Sequence, residues 1–443
     1  MPVTQYWCVT ALLPEGVTGK TLITCSSDGT IAALTHPEQP PADAHRLPGL
    51  VLPGFANAHS HAFHRALRGR THHGGGTFWT WRDTMYQLAG RLDPDSYYAL
   101  ARLVYAEMVL AGFTSVGEFH YLHHGPEGVR YTVPNAMGAA LVAAALDAGI
   151  RLTLLDTCYL TGGIGTELVG VQRRFGDGDA DGWQQRVAAL TSDSPMVRHG
   201  AAIHSVRAVP VEAIGPVAAF AAARSAPLHV HLSEQPAENE ACQARYRRTP
   251  TELLDEHGAL GEHTTAVHAT HLTPTDIGLL GERRTTACFC PSTEADLADG
   301  IGPARELRDA GAPLALGSDQ HAVIDPFTEA RALEHGERLR TGHRGRFSLA
   351  ELHTAATEAG HAALGWPGAG RLAVGAPADL VTVRTDSVRT AGCAPEQVIL
   401  GASAADVHTV VVNGRLVARE GQHDTIGEVG RQLAEQIERL WSS

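Results

Sequence analysis

The sequence predicts a (β/α)8 barrel carrying a small β-sandwich domain formed by its N- and C-terminal segments. Three observations point there. Between about residue 50 and residue 370, short β-rich runs alternate with longer Ala-, Leu- and Glu-rich stretches, the pattern of parallel strands joined by helices. Eight such strand candidates can be counted. The residues just past them are mostly His, Glu, Asp and Arg, at the place where the reacting groups of a parallel barrel sit.

In chain order, barrel strands are expected at 50–52, 115–117, 151–155, 200–203, 228–230, 265–267, 286–289 and 313–316. Helices are expected between them, for example at 96–111, 136–148, 211–223 and 251–257. The flanks read differently. Residues 1–49 carry short β-like runs at 6–9, 21–25 and 31–34, separated by Gly, Pro and Asp turns, with a turn-rich joint at 37–41. From about 370 to 424 the pattern repeats at 379–383 and 407–412, the latter followed by the hairpin signal Asn413-Gly414. Residues 1–49 and 370–443 are therefore expected to form one small β domain and 50–369 the barrel. In the tail, Ile426, Val429, Leu433, Ile437 and Leu440 make a helical apolar stripe that would pack on the body.

Composition limits the function. With 44% hydrophobic and 19% charged residues the chain can bury a large core. A formal charge of -13 supplies no basic stripe for phosphates, which argues against nucleic acid. No apolar run approaches the roughly 20 residues that span a bilayer. The seven cysteines, an odd number in a chain that opens without a charged segment and apolar core, suit a reducing cytoplasm. The sole lysine is Lys20. Schiff-base, phosphate-loop and metal-bridging lysines are thus excluded from the barrel, and chemistry must come from His, Asp, Glu, Arg and Tyr.

Three strand ends carry metal-site chemistry. In His59-Ser60-His61 an extended backbone projects both imidazoles to one side, within reach of a single ion. Among 25 histidines this spacing says little by itself. In His231-Leu232-Ser233-Glu234, the imidazole can ligate while the carboxylate three residues on stands beside it as a proton carrier. In Leu316-Gly317-Ser318-Asp319, the Asp follows the last strand and could both ligate and hold a bound water. Three imidazoles with one carboxylate suit Zn²⁺ or Fe²⁺. Glu118, His204, Arg207 and His268 stand at further strand ends, so the histidines keep step with the strands.

His-x-His, a later His, another His and a final Asp resemble the pattern of the amidohydrolase superfamily, over nearly the whole chain. Glu three residues after the third His is similar to its mononuclear deaminase branch, and the missing barrel lysine agrees. The resemblance implies that His59, His61, His231 and Asp319 bind one metal ion per chain, and that His268 contacts the nucleophilic water. His271, past the strand, is left with a helix-entry role. A divalent ion lowers the pKa of water from about 15.7 towards roughly 7. Asp319 would accept that proton, Glu234 would carry one to the departing nitrogen, and His268 would polarise the attacking oxygen.

For the substrate, three glycines precede a bulky cluster in the segment 74–86, which could close over a ligand and bring Arg82 with it, or could be an ordinary surface loop with aromatic anchors. Arg207, at a strand end, presents a fixed fork of donors that favours carboxylate. Ala62-Phe63-His64-Arg65-Ala66-Leu67, Trp79-Thr80-Trp81-Arg82, His204-Ser205-Val206-Arg207 and His231-Leu232-Ser233-Glu234-Gln235 together resemble the formimidoylglutamate deiminases of histidine breakdown. That family releases ammonia from N-formimino-L-glutamate and leaves N-formyl-L-glutamate. By motif position the resemblance implies substrate contacts for Arg82, Tyr121, His204 and Arg207, with His64 standing where Gln is expected. It also implies a homodimer. The alternatives are a purine, adenosine, guanine or triazine aminohydrolase with the same core, and a barrel that binds without catalysis. His72-His73 and His123-His124 are expected to be exposed loop residues, Cys288-Phe289-Cys290 a buried strand, and Glu118 either a support of the site or a strand cap.

Overall fold

A computed structural model describes residues 4–72 and 75–442 of the chain. Four strands come first: β1 (Thr4–Leu13), β2 (Gly16–Cys25), β3 (Ile31–Thr35) and β4 (His45–Pro53). The barrel follows as β5 (Phe55–Ser60), β6 (Phe113–His120), β7 (Arg151–Cys158), β8 (Val197–Ile203), β9 (Leu228–Leu232), β10 (Thr264–His268), β11 (Thr286–Phe289) and β12 (Leu314–Leu316). These eight pair in sequential order and in parallel. Helices cover the outside and side chains fill the inside. That is why β6 and β7 are buried along their whole length and read as near-continuous apolar runs.

The ring closes between β5 and the chain just past β12. The backbone N–H groups of Ser318 and Asp319 donate to the His59 carbonyl at 3.1 and 3.0 Å, and His61 N–H donates to the Asp319 carbonyl at 3.2 Å. The closure thus joins the first and last of the candidate metal ligands.

The last four strands, β13 (Leu380–Val383), β14 (Val407–Val412), β15 (Arg415–Arg419) and β16 (Gln422–His423), join β1–β4 in one mixed sheet of order β16-β15-β14-β13-β4-β1-β2-β3. Asn413 and Gly414 both take positive φ, 53° and 73°, as the tight turn between β14 and β15 demands. The sheet folds over on itself where Ile31 N–H donates to the Ala376 carbonyl at 2.8 Å. Tyr6, Cys8, Ile23, Leu47 and Leu380 fill its separate core.

One strand expected in the barrel lies elsewhere. Residues 50–52 belong to β4, which pairs with β1 and β13, and the barrel begins instead at Phe55–Ser60. The domain boundary expected after residue 49 consequently falls inside a strand of the terminal sheet. Leu50 to Ser60 is one buried run, and its Pro53-Gly54 marks the passage from one sheet to the next. A Cβ at Gly54 would sit 2.2 Å from Thr114 Oγ1, so only glycine fits the joint.

A buried ion pair fastens sheet to barrel. Arg151 at the start of β7 donates from Nε to Asp379 Oδ2 at 2.9 Å and from Nη2 to Asn413 Oδ1 at 2.9 Å. Asn413 N–H donates to Asp379 Oδ1 at 2.7 Å. The C-terminal helix Val429–Ser442 buries Val429, Leu433, Ile437 and Leu440, the expected stripe, beside the helix Pro94–Leu110.

Candidate active site

At the C-terminal mouth of the barrel the candidate ligands converge. His231 Nε2, from β9, faces His59 Nε2, from β5, at 3.0 Å. Asp319 Oδ1 lies 3.4 Å from the Nε2 atoms of both His59 and His61. Ligand atoms held about 2.0 to 2.1 Å from one tetrahedral ion stand roughly 3.3 to 3.4 Å apart, so these separations fit a shared cation. The donor chemistry fits as well. Burial and the neighbouring imidazoles hold His59 and His231 well below the usual imidazole range, and His61 down to about 3. All three are neutral lone-pair donors at pH 7.

The ligand rings are held from behind. His61 Nδ1–H donates to the Phe119 carbonyl at 2.9 Å, which turns its Nε2 lone pair towards Asp319. Glu118 accepts from Ser60 Oγ–H at 2.8 Å and from Ala62 N–H at 2.7 Å, so it clamps both ends of the segment that carries His61. Burial pushes the Glu118 carboxyl up to about 7. Asn57 accepts from Ser318 N–H at 2.9 Å and fixes the approach to Asp319. Ser233, His268, Ala269, Asp319 and His321 all take positive φ without being glycine, a concentration of backbone strain where the side chains are aimed.

His268, at the end of β10, lies between three carboxylates. Its Nε2 is 3.7 Å from Glu234 and 3.8 Å from Asp319, and its Nδ1 is 3.4 Å from Glu294. Burial opposes its charge, yet Glu234 and the other acids hold its pKa well above the ordinary value. Burial also raises the Glu234 carboxyl, against the pull of His268 and Arg207. His268 and Glu234 therefore keep a proton between them.

Beside this cluster opens a cavity with about 580 Å³ of free space, counting the part open to solvent. His61, His64, Arg82, Tyr121, His204, Arg207, His231, Glu234, His268 and Asp319 all line it. Every site residue named from the sequence is thus in one place, with His59 beneath. His64 Nε2 shares a hydrogen bond with the Tyr121 hydroxyl at 2.9 Å. Burial and the nearby Arg207 hold His204 well below the imidazole range.

The segment expected as a loop is a helix from Phe78 to Arg91, capped by Thr77, and Arg82 projects from it with its guanidinium 4.5 Å from the Trp79 ring centre. Gly74 of the glycine run, like His73, lies outside the described residues. His72 is exposed.

His123 and His124, expected on the surface, are buried instead. His123 Nε2–H donates to the Thr157 carbonyl at 2.9 Å and His124 is 3.0 Å from Asp177 Oδ1. Arg186, buried beside them, supplies the cation that Asp156 and Asp177 need. His271 does precede a helix, Pro274–Glu282, and its carbonyl accepts from Asn239.

Tyr159, Glu294 and Glu238 stand in no motif of the sequence, and Tyr86 stands out only as the last residue of the segment 74–86. Tyr86 and Tyr159 line the cavity. Glu238, one helical turn after Glu234, was the one residue that spacing could have flagged.

The chain belongs to the amidohydrolase family, whose profile matches residues 50–417, and it is a deaminase of that family. It is 37% identical to formimidoylglutamate deiminase of Pseudomonas aeruginosa over 430 residues, 93% of this chain and 94% of the relative. It is 30% identical to 8-oxoguanine deaminase of the same organism, over 87% of each chain. Among solved structures, an amidohydrolase from Brucella melitensis superposes with a TM-score of 0.92 at 30% identity, covering 99% of this chain and 100% of the other.

Proposed function

We propose that the protein hydrolyses the formimino group of N-formimino-L-glutamate to N-formyl-L-glutamate and ammonia, with one Zn²⁺ per chain. The observation that carries this reading is that Arg82 and Arg207 share one cavity with His61, His231 and Asp319, against which His59 is packed. A substrate with two carboxylates accounts for two arginines in a site whose hydrolytic chemistry needs none. The 37% identity to a formimidoylglutamate deiminase supports it.

His59, His61, His231 and Asp319 would hold the ion, and three neutral imidazoles with one carboxylate suit Zn²⁺, with Fe²⁺ the alternative. When bound, the ion supplies a hydroxide near neutrality by lowering the pKa of water. Asp319 accepts the proton that water gives up. Glu234, which with His268 already keeps a proton, delivers one to the departing nitrogen. His268, turned by Glu294 at its Nδ1, aims Nε2 towards Glu234 and Asp319 and polarises the attacking oxygen. Arg82 and Arg207 receive the two carboxylates, while Tyr121, His204 and His64 line the formimino end.

With this reading go a homodimer and a cytoplasmic setting. Among the described residues no helix is long and apolar enough to cross a membrane, and all seven cysteines are free thiols.

The test is ammonia release by the metal-analysed protein from N-formimino-L-glutamate, measured beside guanine and adenosine. Turnover of the formimino amino acid alone is expected. Efficient turnover of guanine with none of the amino acid overturns the reading in favour of a purine aminohydrolase.

A further inference from the structure

We infer that Glu238 is a positioning residue that acts through Arg207, an inference that rests on Arg207 being a receptor for a substrate carboxylate. Glu238 stands in the first turn of the helix Pro236–Tyr246 and is 1% exposed. Glu234 and Arg207 line the cavity, and Glu238 lies behind them. Its one ion-pair partner among the described residues is Arg207, Nε to Oε2 at 3.5 Å. Among the described residues no side chain donates a hydrogen bond to either Glu238 oxygen, and Arg207 Nε finds no acceptor. On its other edge, Arg207 Nη2 is 3.5 Å from Glu234 Oε2.

The guanidinium is thus suspended between two carboxylates, one on the cavity wall and one behind it, and closes on neither. A charge-assisted pair left to itself settles at about 2.7 to 2.9 Å. With Glu234 as its only neighbour, Arg207 would close on the proton carrier, spend its donor edge there and tie up the group that must reach the leaving nitrogen. Glu238 pulls the other way. Its counter-charge holds Arg207 off Glu234 and keeps donors turned to the cavity. A buried carboxylate with no side-chain hydrogen bond is costly to keep, and the field of a helix N-terminus is too weak to offset that cost. The burial is explained if the residue's work is done on Arg207.

The experiment is a double-mutant cycle in metal-loaded enzyme, with Glu238→Gln made in the parent and in Arg207→Met. Two quantities are read: the KM for N-formimino-L-glutamate and the Kd of glutarate by calorimetry. In the parent, Glu238→Gln is expected to raise both by about tenfold and to lower kcat by more than about threefold, because Arg207 then closes on Glu234, with metal content unchanged. In the Arg207→Met background it adds less than about twofold. Glu238→Asp, which keeps the charge, restores part of the loss. A parent-like KM and Kd in Glu238→Gln overturns the inference. So does an equal loss in both backgrounds, which assigns Glu238 a purely structural role. If the parent releases no ammonia from the formimino substrate and binds no glutarate, the reading of the site falls first. An active parent with an indifferent Glu238→Gln sinks this inference alone.

Discussion

His59 and His231, 172 residues apart in the chain, bring their Nε2 atoms to 3.0 Å of each other at the barrel mouth. Two neutral imidazoles do not point lone pairs together at that distance without a proton or cation to share. One divalent ion per chain is expected by elemental analysis. His231→Ala should weaken its retention by more than about 100-fold, beyond the range seen for residues that merely support a ligand. Circular dichroism should be unchanged, because β9 stays paired on both sides. A variant that keeps a full equivalent of metal through dialysis would remove His231 from the ligand set.

Glu234→Gln is expected to keep the ion and lose about 10² to 10⁴ of kcat, the usual share of a proton carrier. Metal content and turnover, measured on the same preparation, check this. Retained turnover would transfer the proton task to another group.

Arg207→Met should weaken substrate by about 2 to 5 kcal/mol, as when one partner of a buried charge pair is lost. The change is read from KM and from inhibition by glutarate. Unchanged values would place the carboxylate site elsewhere.

Glu329 is buried between the helices Pro326–Thr341 and Pro291–Asp296, where its carboxylate accepts from Ser292 N–H at 3.0 Å. Burial pushes its carboxyl up to about 8, against 4.5 for an ordinary glutamate. The folded state therefore holds a proton that the unfolded chain releases. Stability from this group is fully present below pH about 4.5 and is lost as pH rises through about 8. Glu329→Gln should flatten that decline by on the order of a few kcal/mol. Denaturant midpoints at pH 5 and 8.5 measure it, and parallel slopes for parent and variant would contradict the assignment.

Arg151→Met leaves Asp379 buried without its cation and should cost about 3 to 5 kcal/mol of stability. Metal content and KM should stay as in the parent, because the pair lies where barrel and terminal sheet meet, away from the mouth. The measurement is the urea midpoint beside steady-state kinetics.

How much of this was legible in the sequence depends on what each signal reports. The strands β6 to β12 were recognisable because parallel strands buried on both faces are short apolar runs, and the chemistry stands at their ends. β5 was misplaced for the same reason. Leu50 to Ser60 is apolar throughout, and hydrophobicity cannot say that Gly54 divides two sheets. The ligands were legible because metal chemistry restricts residue type and spacing. His123 and His124 were misjudged because their burial depends on Arg186 and Asp177, partners that arrive from more than 50 residues away. Glu238 escaped notice because its partner, Arg207, lies in another motif and only folding brings them together.

A single residue, Gly54, links the terminal sheet to the strand that carries His59 near its end, with His61 just past it. Any slippage of that sheet is passed on to the catalytic centre with almost no slack. Lengthening the chain at this joint would misregister the centre even though nothing near it had been altered. The turn-rich stretch from Pro37 to Pro41 lies beyond β3, and there the same lengthening would be absorbed at the surface. The part of the molecule that resembles an appendage is the frame against which the reacting end of the barrel is registered.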